Sequence, residues 1–266
     1  SMAAETVLNL TTLPSDVIQN IARMHLLEYL DEVRLISARW NTIVLGDKTR
    51  FPVIDSFQWS NSDTGILLLI DVPHEYVNYL GIRNWSFNPA EGYRKVVYTY
   101  EGIHSLTGSL ARLFKRSSLI KYGKFFKSSN NFEINIWKNV VPCVFIEELV
   151  FTNVALLKRF GESLVDILRD SNVQRIEVHA IHMSATEKDI VPYFTSTSAI
   201  VRSVKLSFLV TLNDNDHHPN VNTPSPEDYW RSVSDAISVA TTVNATSSIS
   251  SVNECAYYVN LTAQHL

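Results

Sequence analysis

The chain has 266 residues, of which 45% are hydrophobic and 19% charged, and its formal net charge is −4. This composition favours a folded protein with a well-filled core over disorder, and the slightly acidic balance offers no overall basic field for nucleic acid. The longest apolar runs, such as Gly65–Ile70 and Val140–Ile146, are far too short to span a bilayer. We therefore expect a soluble protein of the cytoplasm, the nucleus or both, without a membrane partner.

The first predicted elements are two amphipathic helices between Leu13 and Val44. Pro14 suits the first turn of a helix and Asp16 suits its positive end. Apolar residues then recur at three- and four-residue spacing, in a first set at Val17, Ile18, Ile21 and Met24 and, after a break at His25-Leu26, a second set at Leu27, Leu30, Val33, Ile36, Trp40 and Ile43. Gly46 is a plausible terminator of the second helix. A unit of this size cannot bury its own apolar surface without a partner or the rest of the chain.

These residues resemble an F-box. The resemblance rests on Leu13-Pro14, the acidic residue at 16, the aliphatic residues at 17, 18 and 21, Leu30, and Ile36-Ser37 followed by Arg39-Trp40. It implies docking onto a Skp-type adaptor and, through the adaptor, onto a cullin–RING ubiquitin ligase. The adaptor-binding residues that it implies are Leu13, Pro14, Val17, Ile18, Ile21, Leu27, Leu30, Ile36 and Trp40. The alternative is an ordinary helical hairpin packed on the domain that follows.

Between residues 51 and 146 we predict strands at Gly65, Tyr93 and Asn131, but their spacing does not fix a repeat register. No acidic residue occurs from Gly102 to Phe132. The basic residues of that stretch are Arg112, Lys115, Arg116, Lys121, Lys124 and Lys127, and aromatic residues interleave with them. The stretch could hold an acidic or phosphorylated segment or single-stranded nucleic acid. The alternative is a helix that buries Leu113, Phe114, Leu119, Ile120, Phe125 and Phe126 and leaves the lysines in solvent.

Three strand-like segments begin at Glu147, Val173 and Val201, and 27 and 28 residues separate their equivalent positions Leu149, Ile176 and Val204. Alternation places Leu149, Phe151, Ile176, Val178, Val204, Leu206 and Phe208 inward. It places Thr152, Glu177, His179, Lys205 and Ser207 on the opposite side, where they and Lys121, Lys124 and Lys127 are the candidate substrate-binding residues. A helix fits the first interval through its stripe from Leu156 to Leu168, and the second more weakly because Pro192 interrupts it. The pattern resembles an irregular leucine-rich-repeat-like β-α solenoid; an ordinary α/β sheet with similar crossover lengths is the alternative.

The C-terminal part is predicted to contain a loop from Asn213 to Glu227, a helix from about Glu227 to Val239 and a last strand near Ala256–Leu261 that closes the sheet. The search for chemistry finds no phosphate-binding, nucleophile-elbow or metalloprotease motif. Cys143 and Cys255 match no metal or redox spacing, and His217-His218 is interpreted as part of a solvated loop. We expect no catalytic residue, metal or cofactor.

The expected organisation is α/β and has three parts: a tail over residues 1–10, an α-helical F-box over 11–50 and a leucine-rich-repeat-like recognition domain over 51–266. Within the tail, Ser1-Met2 is interpreted as a cloning scar. The expected function is the substrate-recognition subunit of a Skp–cullin–F-box ubiquitin ligase, with an unknown target protein and no enzyme activity of its own. Two alternatives stay open. One is an adaptor-binding scaffold or inhibitor that does not promote ubiquitination, and the other is a module that binds nucleic acid or an acidic ligand through residues 112–127.

Overall fold

A computed structural model of the chain describes residues 9–24, 29–62, 65–97, 100–126, 131–156, 158–183, 187–211, 224–253 and 256–265. Within these ranges the helices are α1 (Ser15–Met24), α2 (Leu30–Arg34), α3 (Ala38–Gly46), α4 (Val77–Leu80), α5 (Tyr100–Lys115), α6 (Asn131–Val140), α7 (Lys158–Arg169), α8 (Glu187–Ser198) and α9 (Pro226–Thr241). The strands are β1 (Val53–Ser62), β2 (Gly65–Asp71), β3 (Ser86–Asn88), β4 (Gly92–Val97), β5 (Leu119–Phe126), β6 (Phe145–Leu156), β7 (Asn172–Met183), β8 (Ser203–Thr211), β9 (Asn244–Asn253) and β10 (Ala256–Gln264). This mixture of helices and strands is consistent with the predicted α/β class.

The described strands form one sheet in the order β3-β4-β2-β1-β5-β6-β7-β8-β10-β9. In its middle, β1, β5, β6, β7 and β8 are parallel. Antiparallel strands extend the sheet at both ends, with β2, β4 and β3 beyond β1 and with β10 and β9 beyond β8. From β5 to β8 the sheet is therefore built from successive β-α-β units, and the hairpins β1-β2, β3-β4 and β9-β10 contribute its two ends.

The five parallel strands bury side chains in one shared pattern, in which two residues separate the first buried position from the second and one residue separates the second from the third. In β6 the three positions are Ile146, Leu149 and Phe151, each at most 1% exposed. The corresponding residues elsewhere are Ile54, Phe57 and Trp59; Ile120, Gly123 and Phe125; Val173, Ile176 and Val178; and Val201, Val204 and Leu206. From Gly123 onward the middle positions are 26, 27 and 28 residues apart and pair across the ladders. The predicted spacing of 27 and 28 residues is confirmed, and the pattern extends to β5 and β1.

Helices α5 to α9 form a row against one face of the sheet. Connections between neighbouring parallel strands are right-handed, so the successive units from β5 to β8 put their helices on the same side. Each helix of the row contacts the next, from α5 to α9. As predicted, α7 buries Leu164, Ile167 and Leu168, and α8 continues through Pro192. The other side of the sheet, called the open face below, carries the partly exposed polar side chains of the same strands.

Two predictions for the middle of the chain are wrong. Asn131–Val140, predicted as a strand, is helix α6, because the alternation of its apolar residues is too short to distinguish a strand from a helix face. Its buried residues follow helical spacing: Glu133, Ile134, Ile136, Trp137 and Val140. Leu119–Phe126 is not helical but forms β5, in which Ile120 and Phe125 are buried while Leu119 and Phe126 are only partly covered.

The C-terminal end of the sheet also differs from its prediction. Helix α9 and strand β10 confirm the predicted helix and last strand. However, β10 does not close the sheet, because β9 folds back along it and takes the outermost position. Serine and threonine dominate β9, and this composition hides the strand from a search for apolar alternation. The predicted loop at 213–227 lies mostly outside the described residues.

Candidate interaction surfaces

The first candidate surface belongs to α1, α2 and α3, called the helical unit. Pro14 precedes α1, and its carbonyl accepts the first helical hydrogen bond, from Ile18 N at 3.0 Å. Inside the unit, Ile18, Leu30 and Trp40 are each at most 1% exposed. Ala22, Val33 and Val44 complete this small core. Each apolar stripe read from the sequence therefore contributes to one small core, but not every member is buried, since Met24 of the first stripe is 84% exposed.

Residues Arg39 and Trp40 fasten the segment that precedes α1. The indole Nε1 of Trp40 donates to the carbonyl of Leu10 at 2.8 Å, and Nη1 of Arg39 donates to the carbonyl of Leu13 at 2.6 Å. Nη2 of Arg39 also donates to the hydroxyl of Ser15 at 3.1 Å. Two short motifs that stand 26 to 30 residues apart in the chain are thus in direct contact.

The second predicted helix is interrupted. Helix α2 ends at Arg34, and Ser37 has an extended backbone with φ −165°. The Ser37 hydroxyl accepts a hydrogen bond from Trp40 N at 3.3 Å and so caps α3. Serine is a preferred N-cap because its side chain satisfies a backbone N–H that the helix leaves free. The expectation of one continuous helix from Leu27 to Ile43 is therefore wrong.

The nine residues predicted to bind an adaptor have different exposures. Ile18, Leu30 and Trp40 are buried and hold the helical unit together, so they offer no surface to a partner. Pro14 is exposed, and the half-buried members are Leu13, Val17, Ile21 and Ile36. Leu27 lies outside the described residues.

The most exposed apolar side chains of the unit were not predicted. Leu35 is 85% exposed and Met24 is 84% exposed, and Tyr29 follows at 46%. Leu30 and Val33 are buried at a spacing of three residues, and Leu35, two residues after Val33, does not lie on the same side of the helix. This spacing could have indicated from the sequence that Leu35 is exposed. These three exposed residues are therefore the candidate contact positions of the helical unit, whereas its buried side chains stabilise the unit itself.

Arg116 joins the helical unit to the rest of the protein. Its guanidinium donates to the Asp31 carboxylate and, at 2.8 Å, to the carbonyl of Tyr79. Asp31 also accepts a hydrogen bond from Arg34 at 2.9 Å. The guanidinium lies 5.5 Å from the centre of the Tyr79 ring, and burial raises the pKa of Tyr79 to about 12. Nearby, Lys48 donates to the carbonyl of Lys115 at 2.8 Å.

The basic residues predicted to form one binding stretch lie at different sites, some at the end of α5 and others on β5. Arg116 has a structural role, whereas Arg112 and Lys115 are exposed at the end of α5. Lys121 is paired with Asp55 at 2.6 Å, and this hydrogen bond raises the pKa of Lys121. Lys124 lies 4.3 Å from the centre of the Phe126 ring on the open face. Lys127 is outside the described residues.

The second candidate surface is the open face, where cross-strand pairing aligns the predicted substrate-binding residues. Thr152, His179 and Ser207 occupy one row across β6, β7 and β8. Glu177 and Lys205 pair in the adjacent row. The structure thus brings together all five predicted residues of these strands, on the side opposite the helices.

Ion pairs and hydrogen bonds order this part of the open face. One oxygen of Glu177 lies 2.5 Å from Nζ of Lys205 and 3.0 Å from Nε2 of His179. Ser207 donates to Oδ1 of Asn260 at 2.7 Å and is only 8% exposed, which is less than the sequence predicts. The Thr152 hydroxyl has no hydrogen-bond partner among the described residues. Charges on this surface are largely neutralised by neighbours, so it offers directional hydrogen bonds more than net charge.

Exposed apolar residues border this polar group. Leu209 on β8 is 37% exposed and pairs with Tyr258 on β10, which is 48% exposed. Tyr258 and Asn260 line a shallow depression together with His179 and Ser207. Tyrosine is frequent at the centre of protein interfaces because one end is apolar and the other can hydrogen-bond. Tyr258 was not predicted from the sequence, because the alternation within β10 had not been assigned to the two faces of the sheet.

The group Glu177, His179 and Ser207 contains the residue types of a hydrolase triad, but its geometry differs. The Ser207 hydroxyl donates to Asn260, so its proton is directed away from His179. A nucleophilic serine requires its base within hydrogen-bonding reach. The described residues also bring no three His, Cys, Asp or Glu side chains together as a metal ion would require.

Two comparisons with known proteins were made, and neither identifies a related protein. A scan against protein-family models finds no match, and a search of curated proteins finds none either. The described helices include none whose length and apolar content would let it span a bilayer.

Proposed function

We propose that the protein is a non-catalytic substrate receptor, in which the helical unit is an F-box that docks on a Skp-type adaptor of a cullin–RING ubiquitin ligase. The observation that carries this proposal is the contact between the two ends of the F-box-like motif. Arg39 and Trp40 bind the backbone of the segment that contains Leu13-Pro14. These contacts support the proposal because they join the two ends of the sequence resemblance, Leu13-Pro14 and Arg39-Trp40, in one compact unit.

The rest of the chain is proposed to be an irregular leucine-rich-repeat-like domain. Support comes from the buried pattern repeated at 26 to 28 residues and from the row of helices on one side of the sheet. In such an arrangement the uncovered face of the sheet is available to a partner. The target protein would contact His179, Lys205 and Tyr258 on the open face. The ligase would then act by holding the target near a ubiquitin-charged enzyme, which raises the rate through proximity.

The first test is co-expression with a Skp-type adaptor followed by size-exclusion chromatography. The informative variant is Met24→Glu/Leu35→Glu, because both side chains are more than four-fifths exposed and the substitutions leave the buried core intact. Val239→Glu is the matched control, since Val239 on α9 is 83% exposed. We expect a complex with the wild type and the control, and a complex weakened at least about tenfold in the double variant.

Two results would contradict the proposal. A wild-type protein that is folded but elutes without the adaptor would remove the ligase function altogether. A double variant that binds as tightly as the control would show that docking does not use this surface of the helical unit. If the adaptor binds but target turnover is the same with wild type and double variant, the protein is a scaffold or inhibitor.

A further inference from the structure

The two edge strands of the sheet differ in how well they are protected against pairing with a strand of another chain. At one edge β3 has only three residues, Ser86–Asn88. At the other edge β9 has ten, Asn244–Asn253. A long edge strand presents a row of unpaired backbone N–H and C=O groups, and natural proteins shield such edges with charges, prolines, bulges or short length.

Among the described residues, β9 lacks most of the usual forms of protection, although the N–H of Ala245 already donates to Ser238 of α9. Its sequence, NATSSISSVN, contains no charged residue and no proline. Its pairing with β10 is regular from Asn244 to Ser251, and the irregularity comes only at the far end, beside Ala256 and Tyr257. Eight consecutive residues therefore keep an extended backbone, a length of about 27 Å at 3.4 Å per residue.

The strand is also held firmly in place. Ser238 of α9 accepts a hydrogen bond from Ala245 N at 3.0 Å, and the hydroxyls of Ser234 and Ser247 lie 3.4 Å apart. The small exposed side chains of Thr246, Ser248 and Ser250 lie on the open face of the strand. On that face a second strand at the usual separation of about 4.8 Å would lie beside small side chains only. An edge that is already ordered loses little conformational entropy when it pairs.

We propose that β9 is a dimerisation edge, on which β9 of a second copy of this chain pairs antiparallel to give one continuous sheet. The absence of charge in β9 suits pairing with a second copy. When a strand pairs antiparallel with its own copy, a charged residue near the two-fold axis lies beside its own counterpart, and like charges in opposed positions are destabilising. β9 avoids this entirely, and its Ser and Thr side chains form favourable cross-strand hydrogen bonds with one another. A partner selected by charge would find nothing here to recognise.

A two-fold arrangement follows from antiparallel self-pairing. It uses the same patch on both copies and closes at two subunits. The pairing is along the edge, so both open faces stay available, and the helical units stand at the far ends of the joined sheets. The dimer does not depend on the proposed adaptor docking, and its failure would leave that proposal intact.

The test is the molar mass of the purified full chain, measured by light scattering after size-exclusion chromatography over a range of concentrations. The edge variant is Thr246→Lys/Ser248→Lys, which adds charge at exposed positions of β9. The control is Ser105→Lys/Ser109→Lys, which adds the same charge at exposed positions of α5. Circular dichroism and thermal unfolding check that both variants remain folded.

We expect wild type and control to approach twice the chain mass of 30.2 kDa. The edge variant is expected to remain at the mass of one chain, with a dissociation constant raised about tenfold or more. Amide exchange of β9 should also slow as the wild-type concentration rises. The proposal is overturned if the wild type stays monomeric at every concentration, if the edge variant dimerises as the control does, or if the mass grows beyond two chains.

Discussion

Glu133 provides a test of how α6 packs on the sheet. The residue is 1% exposed. The neighbouring Trp59 ring lies 6.2 Å from the Trp137 ring in an edge-to-face arrangement. Burial raises the pKa of the Glu133 carboxyl from 4.5 to about 7, and a smaller opposing contribution comes from the Trp59 indole. The charged form is disfavoured because the surrounding rings replace water.

The pH dependence follows from the direction of this shift. Between about pH 4.5 and pH 7 the folded protein keeps a proton on Glu133 that the unfolded chain has lost, so the free energy of unfolding falls as pH rises. The contribution is fully present below about pH 4.5 and fully lost above about pH 7. At about 1.36 kcal/mol for each pH unit, the total is roughly 3 kcal/mol.

The informative substitution is Glu133→Gln, which keeps the shape of the side chain and cannot ionise. We expect the variant to match the wild type near pH 4.5 and to be more stable by about 3 kcal/mol near pH 8. Urea unfolding followed by tryptophan fluorescence at several pH values measures the difference. Glu162→Gln on the exposed side of α7 is the matched control and should show no such trend. A Glu133→Gln difference that is constant with pH would refute the reasoning, because the carboxyl would then have an ordinary environment.

Two further predictions concern the helical unit. Trp40→Phe keeps an apolar ring in the core but removes the donor to the carbonyl of Leu10, and should lower the free energy of unfolding by about 1 kcal/mol, measured in urea. A loss of 3 kcal/mol or more would mean that ring volume, not the hydrogen bond, dominates. Arg116→Ala removes the donor to the Tyr79 carbonyl and leaves Asp31 with Arg34 as its partner, and should cost about 1 to 3 kcal/mol. Arg112→Ala, four residues earlier and exposed, should change stability by less than about 0.5 kcal/mol in the same assay. Equal effects of the two alanines would exclude the proposed role of Arg116.

The parts of the fold that sequence reasoning predicted are those with long, unambiguous periodicity. The stripe of α7 and the alternation of β6, β7 and β8 gave both the elements and the correct inward residues. The stretch Asn131–Val140 was ambiguous, because five alternating residues satisfy a strand and a helix face equally well. That error moved the expected strand away from β5 and concealed the copy of the buried pattern in β5, whereas the copy in β1 was missed because no strand was predicted at Val53–Ser62.

In the candidate surfaces, too, some residues could be placed from the sequence and others could not. Alternation alone placed Thr152, Glu177 and Lys205 on one face, because each strand has only two sides. Alternation did not help in the helical unit. An apolar stripe on a helix shows which side chains are packed against something, but not whether they pack on the same chain or on another protein. Leu35 was identified as exposed only once the structure showed the break between α2 and α3. Tyr258 was placed on the open face only once the structure showed the pairing of β10 with β8.

The interval between β1 and β5 has a consequence for the order of folding. Ile54 pairs with Ile120, which is 66 positions further along the chain, whereas Leu149 pairs with Ile176, which is 27 positions further. Closing the longer loop costs about 0.8 kcal/mol more in chain entropy. The longer loop also contains β2, β3 and β4, which must form before it is fully folded. Since local contacts form faster than distant ones, we expect β5 to β8 to assemble first and β1, with the helical unit attached, to join last. Pulse-labelled hydrogen exchange would then protect amides of β6 and β7 before those of β1, and the opposite order would exclude this route.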